Sequence, residues 1–161
     1  MRMSEQEPTL VESRLGDTNV YTAPTNVPGV VRYRFPWVKD PRGNLAVGEF
    51  EKEFPFRPQR YFIVSGVPSG ATRGEHAHKQ CHQLLICAQG QIRLSVDDGK
   101  SRFETRLDQP NVGIYIPNMI WCEHWKYSAD AALLVFASRP YDPADDIRQY
   151  SAFLNAVGAA D

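Results

Sequence analysis

Short apolar runs recur along the middle of the chain, and residues that favour turns separate them. The runs are VVRYRF, LAVGEF, RYFIVSGV, QLLICA, QIRLSV, VGIYIP and ALLVFAS, which together extend from Val30 to Ser138. Gly and Pro punctuate the gaps, and Asp97-Asp98-Gly99 indicates a hairpin because an Asp-Gly pair tolerates positive φ. Many short strands at this spacing predict an all-β sandwich or barrel, and we expect no helix between residues 30 and 140.

The two ends of the chain depart from this pattern. Residues 1–28 are polar and rich in turn formers, so we expect a partly flexible N-terminal arm ahead of a single domain at 29–161. Towards the other end, Asp142 is a candidate N-cap and Pro143 suits the first position of a helix. The apolar residues that follow at helical spacing are Ile147, Tyr150, Phe153 and Leu154. This spacing predicts a C-terminal helix at about 143–156 that packs on the barrel.

Composition narrows the class of protein. The 161 residues suffice for one domain with a core, and a hydrophobic fraction of 42% favours a globular chain. A net charge of −1 gives no bulk reason to expect nucleic-acid binding, although a local basic pocket for a phosphorylated ligand stays open. Three cysteines without scaffold-like density indicate reduced thiols, and no segment resembles a signal peptide or a membrane span. We therefore expect a cytoplasmic protein that does not bind membranes.

The candidate chemistry centres on the histidines. The chain has 4 of them, and two form His76-Ala77-His78, which follows a Gly-containing turn. Residues two apart face the same side of a strand, so the two imidazoles can act together. Imidazole moves protons near neutral pH and is also the commonest metal ligand. The pair therefore moves protons, holds a metal, or forms ordinary hydrogen bonds within a barrel.

The segment from Gly70 to Gly90 resembles the first motif of the cupin superfamily, G-x5-H-x-H-x4-E-x6-G. The resemblance implies a jelly-roll barrel, also called a double-stranded β-helix. In this chain Gln83 stands where metal cupins have a glutamate, and Cys122 falls at the histidine position of their second motif. A neutral amide replaces a carboxylate poorly, because the charge that offsets the cation is missing. We therefore expect no metal and no cofactor, while a soft metal on two His and one Cys remains an alternative.

Residues from about 30 to 155 resemble a narrower family, the sugar 3,4-ketoisomerases, which are metal-free cupins that act on dTDP-4-keto-6-deoxyglucose. The most specific matching segments are Arg73-Gly74-Glu75-His76-Ala77-His78-Lys79 and Tyr141-Asp142-x3-Asp146-Ile147-Arg148-x-Tyr150. The resemblance implies that a proton leaves C3, an enediol forms and a proton returns at C4, so that the ketone moves to C3. It also implies a homodimer. Two alternatives remain, a non-enzymatic sugar-binding cupin and a metal-dependent cupin enzyme.

The resemblance also implies roles for individual residues. His76 would be the main proton carrier, and His78 would assist it. Arg73 would bind phosphate or sugar oxygens with its fork of donors. Arg42 would face the sugar, and the pair Arg42-Gly43 resembles the members that give a product of galacto configuration. The residues expected to bind substrate are Arg42, Arg60, Phe62, Arg73, Gln83, Tyr115, Trp121 and His124.

Several of these binding residues carry open questions. Phe62 stands where some members have a tyrosine thought to lie at the sugar, and a phenylalanine cannot relay a proton. Tyr115 and Trp121 either stack on thymine or sugar, or pack in the core. His124 lies two residues after Cys122 and so faces the same side of the strand. It either lines the cavity or is exposed at the end of the strand.

Overall fold

Two antiparallel sheets pack face to face in the structure, a computed structural model that describes residues 9–11 and 17–159. In chain order the strands are β1 (Tyr21–Pro24), β2 (Val31–Arg34), β3 (Trp37–Asp40), β4 (Gly43–Ala46), β5 (Arg60–Ser65), β6 (Arg73–His78), β7 (Gln83–Gln89), β8 (Ile92–Asp97), β9 (Arg102–Leu107), β10 (Val112–Ile116), β11 (Trp121–Trp125), β12 (Ala132–Ala137) and β13 (Asp146–Ile147). A 3-10 helix at Pro143–Asp145 precedes β13, and helix α1 (Tyr150–Ala156) follows it.

The strand order defines the topology. One sheet has the order β1-β2-β10-β7-β12-β5, the other has the order β13-β6-β11-β8-β9, and β3 pairs only with β4 among the described strands. Neighbours in each sheet are mostly distant in sequence, which is typical of a jelly roll. The prediction of an all-β cupin domain is therefore confirmed, and the predicted Asp-Gly hairpin joins β8 to β9.

The main core lies between the two sheets. Alternation puts Ile92, Leu94 and Val96 of β8 on the inner face, where each is at most 1% exposed. Burying each such side chain stabilises the fold by roughly 1.5–3 kcal/mol. Strand β7 differs, because residues 83–87 are buried on both faces by the core and by an outer aromatic cluster around Phe35. This double burial explains the unbroken apolar run at the start of that strand.

The predicted helix at about 143–156 is wrong in its first half. Asp142 does cap a helical turn, since its carboxylate accepts from Ala144 N, but that turn ends at Asp145. The next two residues pair with His78 and Ala77 of β6. These sheet hydrogen bonds satisfy backbone groups that a continuous helix would have used, so the regular helix starts only at Tyr150. Phe153 is fully buried on this helix.

Residues 17–28, which belong to the predicted flexible arm, include regular and buried structure. Tyr21–Pro24 forms an edge strand paired with β2. Proline is tolerated on an edge strand, because its missing N–H points away from the ladder. Beyond this strand, Val27 and Val30 are buried in the main core. The predicted flexibility of residues 1–8 and 12–16 concerns positions outside the described residues.

The helical segments of residues 9–11 and 17–159 are all too short or too polar to cross a bilayer.

Candidate active site

A cavity of about 80 Å³ lies between the two sheets, beside β6 and β11. Its lining residues are Phe62, Val64, Arg73, Gly74, His76, His78, Gln83, Leu85, Ile116, Pro117, Ile120, Cys122, His124 and Val135. Six of the predicted site residues therefore meet here, on strands β5, β6, β7 and β11. The exposed members, Arg73 and Phe62, mark the mouth of the cavity.

A β-bulge decides which side chains of β6 enter the cavity. In the pairing with β11, Arg73 lies opposite His124 and His76 lies opposite Cys122, while Glu75 has no opposite residue. Gly74 and Glu75 both have positive φ, +82 and 53 respectively. The extra residue changes the parity of the strand, so that Arg73 and His76, three apart in sequence, face the same cavity. A regular strand would have put them on opposite faces.

The two histidines of the H-x-H motif are in direct contact. His76 Nε2 lies 3.2 Å from His78 Nε2, and His76 Nδ1 lies 2.8 Å from the carbonyl oxygen of Gly74. A carbonyl only accepts, so His76 Nδ1 carries a proton and donates it to this oxygen. In the neutral ring Nε2 is then unprotonated, and its lone pair is available as a base.

Two carboxylates hold the second ring. His78 Nδ1 lies 3.2 Å from Asp145 Oδ2 and 3.2 Å from Asp146 Oδ1. Carboxylates accept hydrogen bonds, so His78 also keeps its proton on Nδ1 and turns a lone pair at Nε2 towards His76. The two Nε2 atoms are thus placed to share one additional proton. Burial lowers the pKa of His78, as does the neighbouring His76, while the two carboxylates oppose this shift.

Asp145 and Asp146 were not predicted as site residues. The backbone N–H groups of Gln80 and Cys81 donate to the carboxylate of Asp145 at 2.8 and 3.1 Å, which fixes its orientation. The outer oxygen of Asp146 pairs with Arg148 at 2.6 Å. The signal was present in the sequence, because Asp146 belongs to the C-terminal motif and Asp145 directly precedes it.

The donor set at the cupin metal positions does not suit a divalent cation. Gln83 offers a neutral amide. Burial raises the pKa of Cys122 to about 12, so this thiol is not ionised near neutral pH. A different group, His76, His78 and Asp146, offers ligand atoms that lie within 4.8 Å of one another.

Four predicted binding residues lie outside the cavity lining. The side chain of Arg42 is 90% exposed on the β3–β4 hairpin and pairs with Asp40 at 3.0 Å. Arg60 lies near the mouth, with its guanidinium carbon 5.4 Å from the Phe62 ring centre and 5.5 Å from that of Tyr141. This position still suits contact with a ligand that extends out of the cavity.

Tyr115 and Trp121 face away from the cavity because strand alternation turns them outwards. Trp121 is 6% exposed and packs on Tyr150 and Phe153, as the core-packing alternative expects. Tyr115 lines a separate outer groove, where its hydroxyl contacts His82 Nδ1.

This fold and site define the class of the protein. It is a cupin whose barrel holds a histidine pair but lacks the complete set of metal ligands found in metal cupins. Comparison with known proteins gives the family. The family described as FdtA, WxcM-like, C-terminal matches residues 29–158. The chain belongs to this family and is an isomerase.

Named relatives support this assignment. A TDP-4-oxo-6-deoxy-alpha-D-glucose-3,4-oxoisomerase from Aneurinibacillus thermoaerophilus is 39% identical over 74% of this chain and 86% of its own length. The sugar 3,4-ketoisomerase QdtA from Thermoanaerobacterium thermosaccharolyticum, solved with TDP, has a TM-score of 0.79 at 31% identity, covering 82% of this chain and 96% of its own. A histidine variant of QdtA was solved with TDP-4-keto-6-deoxyglucose. The TDP-quinovose 3,4-ketoisomerase WlaRB from Campylobacter jejuni has a TM-score of 0.75 at 35% identity, covering 80% and 99%.

Proposed function

We propose that this protein converts TDP-4-keto-6-deoxyglucose into a TDP-linked 3-keto-6-deoxyhexose. The observation that carries the proposal is the contact between His76 Nε2 and His78 Nε2 in one cavity, with each Nδ1 held by an acceptor. Such a pair can remove a proton from one carbon and deliver a proton to the next. The activities printed for the relatives support the same reaction.

The chemistry is a tautomerisation in which His76 acts as the base. The C4 ketone acidifies the C3 hydrogen, and the lone pair on His76 Nε2 takes that proton as the C3–H bond breaks. The C3–H electrons form a C3–C4 double bond and leave the negative charge on the C4 oxygen. A proton then passes from the C3 hydroxyl to that oxygen, the histidine pair returns a proton to C4, and the carbonyl forms at C3. His78 Nε2, 3.2 Å away, shares the proton while the intermediate exists. The oxidation state moves within the sugar, so the reaction balances without a redox partner.

The size of the cavity supports a binding mode in which only the reacting part of the substrate enters it. A volume of about 80 Å³ admits the reacting edge of a sugar but not a nucleotide sugar. The diphosphate and thymidine therefore lie at the mouth, where Arg73 and Arg60 offer planar donor forks. Gln83, 9% exposed in the cavity wall, is placed to hydrogen-bond a sugar hydroxyl.

Incubation with TDP-4-keto-6-deoxyglucose in deuterated water, followed by NMR, tests the reaction. We expect a 3-keto product and deuterium at the exchanged carbon. A sugar that binds and never isomerises would instead support the non-enzymatic binding alternative. The same spectra give the C4 configuration, for which we propose galacto because of the sequence Arg42-Gly43. A gluco product would overturn that assignment alone.

The pH dependence of the rate provides a second test. A histidine base must be unprotonated, so the rate should rise with pH through the histidine range. The lowered pKa of His78 favours its neutral form in the buried pair. A flat profile between about pH 5 and pH 8 would contradict a histidine base.

A metal-dependent cupin enzyme remains the second candidate, because His76, His78 and Asp146 can converge on one cation. Metal analysis of the purified protein, combined with chelation, decides between the two. Activity that disappears with a stoichiometric metal and returns when it is restored would favour the metal enzyme.

We also propose that the protein is a cytoplasmic homodimer. β1 pairs with β2 on one side only within the described residues, and β5 at the other edge exposes Tyr61 and Ile63, 67% and 59% respectively. Sheet edges with apolar side chains favour association between copies. A monomeric mass by light scattering would contradict this proposal.

A further inference from the structure

A third histidine of the cavity, His124 on β11, is buried in its wall beside a tyrosine. Its imidazole is 8% exposed, and its Nδ1 lies 2.5 Å from the hydroxyl of Tyr127, which is 2% exposed. Neither residue belongs to the H-x-H motif or to its carboxylates. The pair is therefore separate from the groups that handle the substrate proton.

The hydrogen-bond partners of this pair determine where its protons lie. The Tyr127 hydroxyl has a single proton, and within the described residues its only hydrogen-bond partner is His124 Nδ1. If the imidazole donated, the buried hydroxyl proton would have no acceptor there, at a cost of about 1–3 kcal/mol. The hydroxyl therefore donates to Nδ1. The neutral imidazole then carries its proton on Nε2.

Burial keeps both groups neutral. It lowers the pKa of His124 to about 4, and the neighbouring His76 and Arg73 act in the same direction. Burial also raises the pKa of Tyr127 far above its usual range. Near neutral pH His124 is thus a neutral imidazole with a fixed N–H on Nε2.

The free edge of His124 faces the cavity beside the bulge. A Cβ placed on Gly74 would lie 3.2 Å from His124 Nε2 and 2.8 Å from the carbonyl oxygen of Cys122, so glycine leaves this edge uncovered. His124 and Gly74 both line the cavity. Among residues 9–11 and 17–159, no group forms a hydrogen bond with Nε2.

We propose that His124 Nε2–H donates a hydrogen bond to the sugar oxygen that gains negative charge as C3 loses its proton. This inference rests on the proposed isomerisation and adds a catalytic residue to it. The imidazole does not move the substrate proton, because its other nitrogen accepts from Tyr127. A neutral, fixed donor favours the enediolate over the ketone, since the hydrogen bond strengthens as charge develops.

The proposal also accounts for Phe62. This side chain lines the cavity but has no hydroxyl to offer to the sugar. His124, on the opposite sheet, provides a polar N–H in the same cavity. Tyr127 acts through His124 and is a positioning residue.

The tautomer is tested first, without substrate. Nitrogen-15 NMR of the full chain should show one buried histidine that stays neutral from pH 6 to pH 8 with its proton on Nε2. In Tyr127→Phe this fixed tautomer should be lost. A proton on Nδ1, or a charged His124 at pH 7, would overturn the inference whatever the enzyme's activity.

Kinetics with TDP-4-keto-6-deoxyglucose test the role. Removing one donor to a developing oxyanion costs about 10²–10³-fold in kcat, so His124→Phe should lose about that factor with little change in KM. His124→Gln retains an amide N–H and should recover part of the rate, and Tyr127→Phe should lose about tenfold. His82→Phe, on the outer face, is the matched control and should keep wild-type kcat. Thermal unfolding verifies that each variant is folded.

The outcomes separate the two proposals. A His124→Phe variant that is folded and retains kcat within threefold of wild type overturns the role of His124 and leaves the isomerisation intact. A wild-type protein that never isomerises the sugar, with His124 still in the Nε2–H tautomer, overturns the proposed function while the fixed donor stands.

Discussion

Two histidine–tyrosine pairs in this protein have the same contact and very different surroundings. His124 and Tyr127 meet inside the barrel, and His82 and Tyr115 meet on the outer face of the six-stranded sheet. In each pair the hydroxyl lies 2.5 Å from Nδ1. In the inner pair His124 lines the narrow cavity, whereas both members of the outer pair line an open groove with Phe56, Ser138 and Arg139.

The difference shows that the role of a histidine–tyrosine pair depends on which other hydrogen-bond partners its imidazole and hydroxyl can reach. The outer groove is open to solvent, so other partners can satisfy both groups and neither tautomer is enforced. In the inner cavity His124 is 8% exposed and contacts Tyr127, and burial lowers its pKa. The same two residue types therefore act as a surface contact in one place and as an oriented donor in the other.

The largest difference in kcat between variants of the inner and outer regions should appear when the base, His76, is replaced. His76→Asn should lose more than about 10³-fold in kcat, because no other cavity side chain has an unprotonated nitrogen at this position. The variant should still bind TDP, as measured by calorimetry. His82→Asn is the outer control and should retain the wild-type rate. Exchange of the C3 hydrogen that persists in His76→Asn would contradict the assignment of the base.

Removing one carboxylate behind the pair should have the next largest effect. Asp145→Asn weakens the acceptor that holds His78 Nδ1, and we expect a loss of about 10–100-fold in kcat with a shifted pH–rate profile. The profile distinguishes an effect on His78 from a general loss of structure. Asp108→Asn, which removes a carboxylate paired with Arg106 away from the cavity, is the control. An unchanged profile in a folded Asp145→Asn variant would argue against a role for this carboxylate.

Stability should depend on pH through the inner histidine. The folded pKa of His124 is about 4, below the value of about 6.5 in an unfolded chain, so the unfolded state binds more protons as the pH falls. The free energy of unfolding should therefore decrease progressively from about pH 6.5 towards pH 4. The loss due to His124 should be about 2 kcal/mol at pH 5. Urea unfolding at pH 7 and pH 5 measures this loss.

Two variants isolate this contribution from the other titrating groups. His124→Gln should show a smaller difference in unfolding free energy between pH 7 and pH 5 than the wild type. His82→Gln should retain the wild-type difference. Equal pH dependence in His124→Gln and the wild type would show that His124 is not buried in its neutral form.

The smallest effect is expected from the outer tyrosine. Tyr115→Phe removes a hydroxyl whose partner His82 can turn to water instead, so stability should fall by no more than about 1 kcal/mol. Isomerase activity should remain within about twofold of wild type, because Tyr115 does not line the cavity. A large rise in KM would show that the bound nucleotide reaches the outer groove.

Much of the fold could be predicted because alternation and turn residues are local signals. The pattern identified the all-β class and strands such as β7, β8 and β12, which contribute to the core. The resemblance to the cupin motif implied the jelly roll. The pattern missed the strand Tyr21–Pro24, which is short, contains proline and pairs only with a distant strand. The predicted C-terminal helix also began too early, at residue 143. The same capping residues precede a single helical turn and a long helix, so they do not show where the helix ends.

The sequence by itself determined the histidine pair and its family. Residue types at fixed spacing, above all His76-Ala77-His78, carry that information without coordinates. Only the tertiary structure decided the environment of each group. A bulge at Gly74 and Glu75 turned Arg73 into the cavity, and β13 brought Asp145 and Asp146 to His78 from far along the chain. Parity and long-range pairing depend on hydrogen bonds between distant segments, and no local pattern of side chains encodes them.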